Sequence, residues 1–157
     1  MTSDVMREDG KERGASTGET GEIGERLAAE YLAKKGCVIL ARNWRAKPGE
    51  IDIVARCPLE GTWAVDDGSG LLFDQERDML AFVEVRTRHG EAGRAEESVS
   101  RRKAAGMASA ALQYMAAHHL DPDETPWRID VVAVAISGDG LAAINWVQGA
   151  IGEEALE

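Results

Sequence analysis

Long apolar runs are missing from this 157-residue chain: none approaches the roughly 18 residues that a membrane-spanning helix needs. Met1 to Glu22 lacks an apolar h-region, so it does not read as a secretory signal, and a cytoplasmic protein is expected. Cysteine is sparse. Cys37 and Cys57 stand 20 residues apart with no Cys-x-x-Cys spacing and no histidine nearby, which argues against a zinc motif and a disulfide framework. Two reduced, core-type thiols are expected, with a bond between them left open. His89, His118 and His119 show no ligand spacing, and no internal repeat is visible. Basic charge is also short. Eighteen Lys and Arg face 28 Asp and Glu, and a net charge of −10 by itself argues against a nucleic-acid partner.

What is present modifies that last point. The acid is concentrated in residues 1–22 (−3), 58–78 (−5), 111–152 (−4) and the last five (−3). Residues 23–57 carry seven basic and four acidic side chains, and residues 79–110 carry six and four. These two basic stretches are the ones that carry Asp52 and Glu84, the strand carboxylates described below, so a local basic surface remains possible in an acidic chain. Scattered Arg on solvated faces is the alternative.

An apolar fraction of 44% and this length fit one globular domain over 21–150. Residues 1–20, rich in Gly, Ser, Thr and Glu, read as a disordered tail, and 151–157 as an acidic C-terminal tail. Ile23, Leu27, Ala28, Tyr31 and Leu32 recur at helical spacing up to Gly36, which predicts a helix over 22–35. Short strands follow at 37–40 and 50–55, separated by the turn Lys47-Pro48-Gly49. A polar, acidic insert spans 57–79, and a third strand covers 80–86. Residues 89–97 read as loop. A second helix over 98–117 turns Ala104, Ala108, Ala111, Leu112 and Met115 to a core. Ile129 to Ile136 and Ala142 to Val147 complete the order αβββαββ, an α/β domain with a mixed sheet.

Two strands carry charge where apolar residues belong: Gly49-Glu50-Ile51-Asp52-Ile53-Val54 and Phe82-Val83-Glu84-Val85-Arg86. Charged groups stay in such places when paired or bound to a metal. Strand alternation sets Glu50, Asp52 and Val54 on one face, opposite Ile51 and Ile53, and sets Glu84 beside Arg86. If these strands pair, Asp52 meets Glu84. Two close carboxylates raise a pKa unless a cation joins them, and Mg²⁺ or Mn²⁺ prefers such oxygen ligands. The chemistry that uses such a cation includes phosphodiester hydrolysis, and Arg86 is placed to stabilise the attacked phosphate.

Gly24-Glu25, Arg42-Asn43-Trp44-Arg45, Gly49-Glu50-Ile51-Asp52, Phe82-Val83-Glu84-Val85-Arg86-Thr87-Arg88 and Arg128-Ile129-Asp130-Val131-Val132 together resemble the YraN-like family of small bacterial proteins. The resemblance runs from about Gly21 to Ala150. That family is similar to the restriction-endonuclease-like superfamily and, within it, to archaeal Holliday-junction resolvases. The resemblance implies a mixed central β-sheet flanked by helices, a nucleic-acid substrate, DNA above all, and a metal site built from a helix acid, an Asp and the Glu of a Glu-x-Lys motif. Those roles fall on Glu25, Asp52 and Glu84, with Arg86 in the lysine position. Resolvase-like relatives act as dimers, which makes a homodimer an expectation, although no decisive dimer surface is visible.

Two departures qualify the implied metal-dependent endonuclease. Lysine can shed a proton when its pKa is depressed and arginine in effect cannot. Arg86 can therefore substitute if the lysine only orients water or phosphate, and leaves the protein impaired or dead as a nuclease if the lysine takes part in proton transfer. The insert at 58–78 is longer than the family pattern and can repel a phosphate backbone or gate the site. The alternative function is therefore an inactive nuclease-fold module that binds nucleic acid or a protein partner. The remaining candidates also carry two readings. Arg45, Lys47, Arg88, Arg102 and Lys103 are candidate phosphate contacts, and Arg101, Arg102 and Lys103 equally suit a solvated helix face. Glu25 alone reads as a solvated or capping acid. Asp52 and Glu84 alone read as salt-bridge partners of Arg86 or Arg45. Glu50 suits a turn cap, Asp130 a pair with Arg128 or Arg42, and Trp44 the core rather than base stacking.

Overall fold

A computed structural model of the protein describes residues 4–7, 17–47, 49–58, 78–89 and 100–150. Its elements are β1 (Asp4–Arg7), α1 (Thr17–Lys34), β2 (Val38–Ala46), β3 (Gly49–Pro58), β4 (Asp78–His89), α2 (Arg101–Ala117), β5 (Trp127–Ile136) and β6 (Leu141–Val147). The six strands form one sheet in the order β1-β6-β5-β4-β3-β2. β4 and β5 run parallel and the other neighbours antiparallel, so the sheet is mixed and the fold α/β. Parallel strands need a crossover, and α2 supplies it between β4 and β5.

The helices cover opposite faces. Leu27, Ala28, Tyr31 and Leu32 of α1 pack on Ile53, Ala55, Val83, Val132 and Val134. Met107, Ala110, Ala111, Tyr114 and Met115 of α2 pack on Ile51, Val54, Leu80, Phe82 and Ile129. Each large side chain so buried contributes about 1.5–3 kcal/mol. The helix-forming stripe of α1 is the expected one, and Gly36, at φ 96°, takes the left-handed turn that ends it. The α2 stripe is rotated from expectation: Met107 and Tyr114 are inside while Leu112 is 44% exposed. Among the described residues, no helix is long and apolar enough to cross a membrane.

Three expectations are corrected. The tail contains β1, which pairs with β6 from Asp4↔Ile144 to Arg7↔Leu141, and α1 starts at Thr17, so the order is βαβββαββ. Cys37 and Cys57 form a disulfide instead of two thiols. Their positions extend the β2–β3 register, in which Val38 faces Arg56, by one residue, which sets the two Cα atoms 4.3 Å apart. The simple alternation of β3 also fails: Ile51 packs with Val54 on the α2 side, while Ile53 faces α1. Opposite that break, Asn43 of β2 adopts φ 53°, a left-handed conformation that Asn tolerates better than most residues. The expected tail at 151–157, the loop at 90–97 and insert residues 59–77 lie outside the described residues.

Candidate functional site

The break in β3 builds the site. β3 and β4 pair from Pro58↔Asp78 up to Ile53↔Val83, where the ladder stops. Beyond that point Gly49, Glu50 and Ile51 continue only on β2, and Glu84 to His89 continue only on β5. The sheet therefore forks at Asp52. Its Oδ2 accepts the backbone N–H of Val85 at 2.7 Å, filling the place of a β3 carbonyl. Asp52 thus lies between Glu84 on one arm of the fork and Glu50 on the other.

Burial is the main cause that pushes the Asp52 carboxyl up to about 7. The Val85 N–H opposes this, and the charges of Glu84, Glu25 and Glu50 add to it. A carboxyl with such a perturbation in a cleft of like charges is a candidate for function. Glu84 is 5% exposed and shares the α2 face with Phe82. Its partner is Lys103 Nζ, 2.5 Å from Oε1, rather than Arg86 or Arg45. Glu25 comes from α1, where it meets Arg42 at 4.0 Å and a hydrogen bond from Asn43. Its carboxyl is raised, first by burial, then by Glu50 and Glu22, against the lowering by Asn43 and Arg42. Gly24 lets α1 approach: a Cβ there would collide with the Thr87 side chain on β4.

Asp52 and Glu84 are thus brought together, with Glu25 within electrostatic reach of Asp52. Among the described residues, however, no three His, Cys, Asp or Glu side chains converge closely enough to hold a metal by themselves. Arg86 is half-buried, two residues past Glu84 on β4. Glu50 pairs loosely with Arg45 at 4.0 Å on the surface. Asp130 is structural, as its sequence context suggests. Fully buried, it accepts from Arg128 Nε at 2.9 and 3.0 Å, from Trp146 Nε1 at 3.0 Å and from the Gly149 N–H at 2.8 Å. Trp44 packs edge-on against Tyr114 and His118, as expected of a core residue.

Beside the fork lies a cleft of about 810 Å³ whose lining includes Arg45, Lys47, Arg102, Lys103 and Glu50. Four of the five candidate phosphate contacts meet there, and Arg88, exposed at the far end of β4, does not line it. Gly49 and Gly106 also line the cleft, and they lie so close together that a Cβ on Gly49 has no room beside the Gly106 backbone. Gln113 Nε2 donates to the Lys47 carbonyl at 2.8 Å and ties the β2–β3 turn to α2. Ser100 caps α2 by accepting from the Lys103 N–H at 3.2 Å. Sequence reasoning missed the parts played by Asn43 and Arg42 and the Lys103–Glu84 pair. The signals were an Asn amid a strand and three basic residues opening a helix, where the helix dipole disfavours them.

A six-stranded mixed sheet with a forked, acid-bearing centre and a basic cleft beside it defines an α/β protein. The sequence matches the uncharacterised protein family UPF0102 over residues 24–134, and the chain belongs to that family, the YraN-like one. A UPF0102 protein of Chloroflexus aurantiacus is 40% identical over 134 residues, covering 85% of this chain and 93% of its own. One from Roseiflexus castenholzii is 45% identical over 117 residues, 74% of this chain and 78% of its own. One from Pelotomaculum thermopropionicum is 39% identical over 121 residues, covering 76% and 83%.

Proposed function

We propose that this chain is a nucleic-acid-binding protein of the nuclease type, an endonuclease that uses Mg²⁺ or Mn²⁺ on branched or single-stranded DNA. The observation that carries this is the meeting of Asp52 and Glu84 at the fork, beside a cleft with four basic side chains. Two carboxylates suffice for Mg²⁺, which keeps several waters and takes further ligands from substrate phosphates. An Asp52 carboxyl pushed up to about 7 by burial and three neighbouring acids fits a role as cation ligand, because a cation relieves that repulsion. Such a cation would supply a water of lowered pKa and offset charge on the phosphate. Asp52 and Glu84 would hold it, Glu25 would add negative potential from α1, and Arg86 would orient the phosphate. Arg45, Lys47 and Arg102 position the backbone without reading sequence.

A second reading is favoured by Arg86 in the lysine position and by Lys103 on Glu84: a binding module that has kept the fold without cleavage. One experiment separates the two. The protein is incubated with Mn²⁺ and junction, flap and single-stranded DNA, alongside Asp52→Ala, Glu84→Ala and Arg86→Lys. The nuclease reading expects cleavage that Asp52→Ala abolishes and Arg86→Lys preserves or raises. DNA binding without cleavage, unchanged by either alanine variant, leaves the module reading.

A further inference from the structure

Glu84 is buried on the α2 side of β4, where a carboxylate is costly unless a cation meets it. Lys103 meets it, but from an exposed position. Its side chain is 49% exposed against 7% for Glu84, and it rises from the first turn of α2 into the basic cleft. A lysine there works against the helix dipole, so helix stability does not account for it. Lysine also carries its charge on a flexible, four-carbon stem, with no fixed fork that would lock it on one carboxylate.

We propose that Lys103 is a displaceable counter-ion. It neutralises Glu84 until a divalent cation engages that carboxylate, and is then released into the cleft to take a DNA phosphate. This rests on the reading that Asp52 and Glu84 hold Mg²⁺ or Mn²⁺. An ammonium 2.5 Å from Oε1 occupies the space in which a cation would bind Glu84, and two cations at one carboxylate repel. Metal and Lys103 therefore compete for Glu84, while metal and phosphate assist each other, because the released ammonium adds a fourth cation to Arg45, Lys47 and Arg102. Such a coupling is reciprocal in binding free energy.

The test is Mn²⁺ binding by calorimetry or by the electron-spin signal of free Mn²⁺, on the full chain without DNA. Lys103→Met removes the competitor and tightens Mn²⁺ binding about fivefold or more, the lower range of such couplings. Lys103→Arg keeps a charge on Glu84 and stays closer to the native affinity. Arg102→Met removes a neighbouring cleft cation and shifts affinity by less than about twofold at physiological salt. Adding a short DNA duplex then raises Mn²⁺ affinity more in the native protein than in Lys103→Met. If the native chain binds Mn²⁺ and Lys103→Met binds it no tighter than Arg102→Met does, the counter-ion proposal falls and the metal site stands. If neither the native chain nor Lys103→Met binds Mn²⁺, both fall.

Discussion

Asp52 Oδ2 accepts the Val85 N–H at 2.7 Å where the β3–β4 ladder ends. One bond thereby fixes Asp52 against a residue that has Glu84 on one side and Arg86 on the other. A main-chain donor inside a strand cannot rotate away, so the carboxylate is held in the fork whether or not its charge is balanced. That arrangement is poor for stability and suited to a ligand.

The first expected outcome follows from this cost. The unfolded Asp52 carboxyl titrates near 3.8 and the folded one near 7, so between these values the folded protein keeps a proton that the unfolded chain has lost. Its stabilising contribution is complete below about pH 4 and is lost as pH rises through 7. The ceiling is about 4 kcal/mol, and contact with water lowers it to about 1–2 kcal/mol. Asp52→Asn keeps a carbonyl acceptor for Val85 and should stabilise the protein by that amount at pH 8 and hardly at all at pH 4. Urea midpoints at the two pH values measure it. Equal destabilisation at both would make Asp52 a plain structural acceptor.

Asp130 should behave in the opposite way. It is fully buried with Arg128, Trp146 and the Gly149 N–H as donors, so its charge is compensated. Asp130→Asn leaves the Arg128 guanidinium, whose side chain is 13% exposed, without its counter-charge. Breaking such a pair costs about 3–5 kcal/mol. At this chain length the melting temperature should fall by roughly 10 °C. A melting temperature within a degree or two of the native one would show that the bracket contributes little.

Those two aspartates mark how far the sequence could be read. Ile51-Asp52-Ile53-Val54 and Ile129-Asp130-Val131-Val132 are nearly the same string, and only the Arg two residues before Asp130 hinted at its structural role. The two helices, the order of elements along the chain after α1 and the nearness of Asp52 to Glu84 were legible because they follow from periodicity and one pairing. The fork was not, because no local pattern marks where the β3–β4 ladder ends or that Asn43, across from Asp52, turns left-handed. β1 has no apolar pattern and owes its form to hydrogen bonds from β6. The disulfide needed the β2–β3 register, and the Lys103–Glu84 pair needed the angle at which α2 crosses the sheet.

Gly49 sets that crossing. A Cβ at this position would meet the carbonyl and Cα of Gly106, which are backbone atoms and cannot swing aside. Gly49→Ala should cost about 1–3 kcal/mol, the range for forcing extra volume into packed structure. Gly21→Ala is the matched control. It lies in α1 with nothing within 4 Å of the added atom, and should stabilise by up to about 1 kcal/mol. Denaturant midpoints for the pair report the difference, and a neutral Gly49→Ala would mean that α2 can shift without loss.

The basic cleft makes a prediction about salt. A chain of net charge −10 has no general attraction for DNA, so any binding must come from cations gathered in one place. Removing one cation that neutralises a phosphate should lower the slope of log affinity against log salt by about 0.9 on duplex DNA or about 0.7 on single strands. Arg45→Ala and Arg102→Ala should each do so, weakening all sequences alike, because phosphate contacts carry no base information. Arg26→Ala, on the solvent side of α1 in an ion pair with Glu30, should leave the slope alone. If Arg26→Ala changes the slope as much as Arg45→Ala, the attraction is spread over the surface and the cleft between β3 and α2 is not where DNA lies.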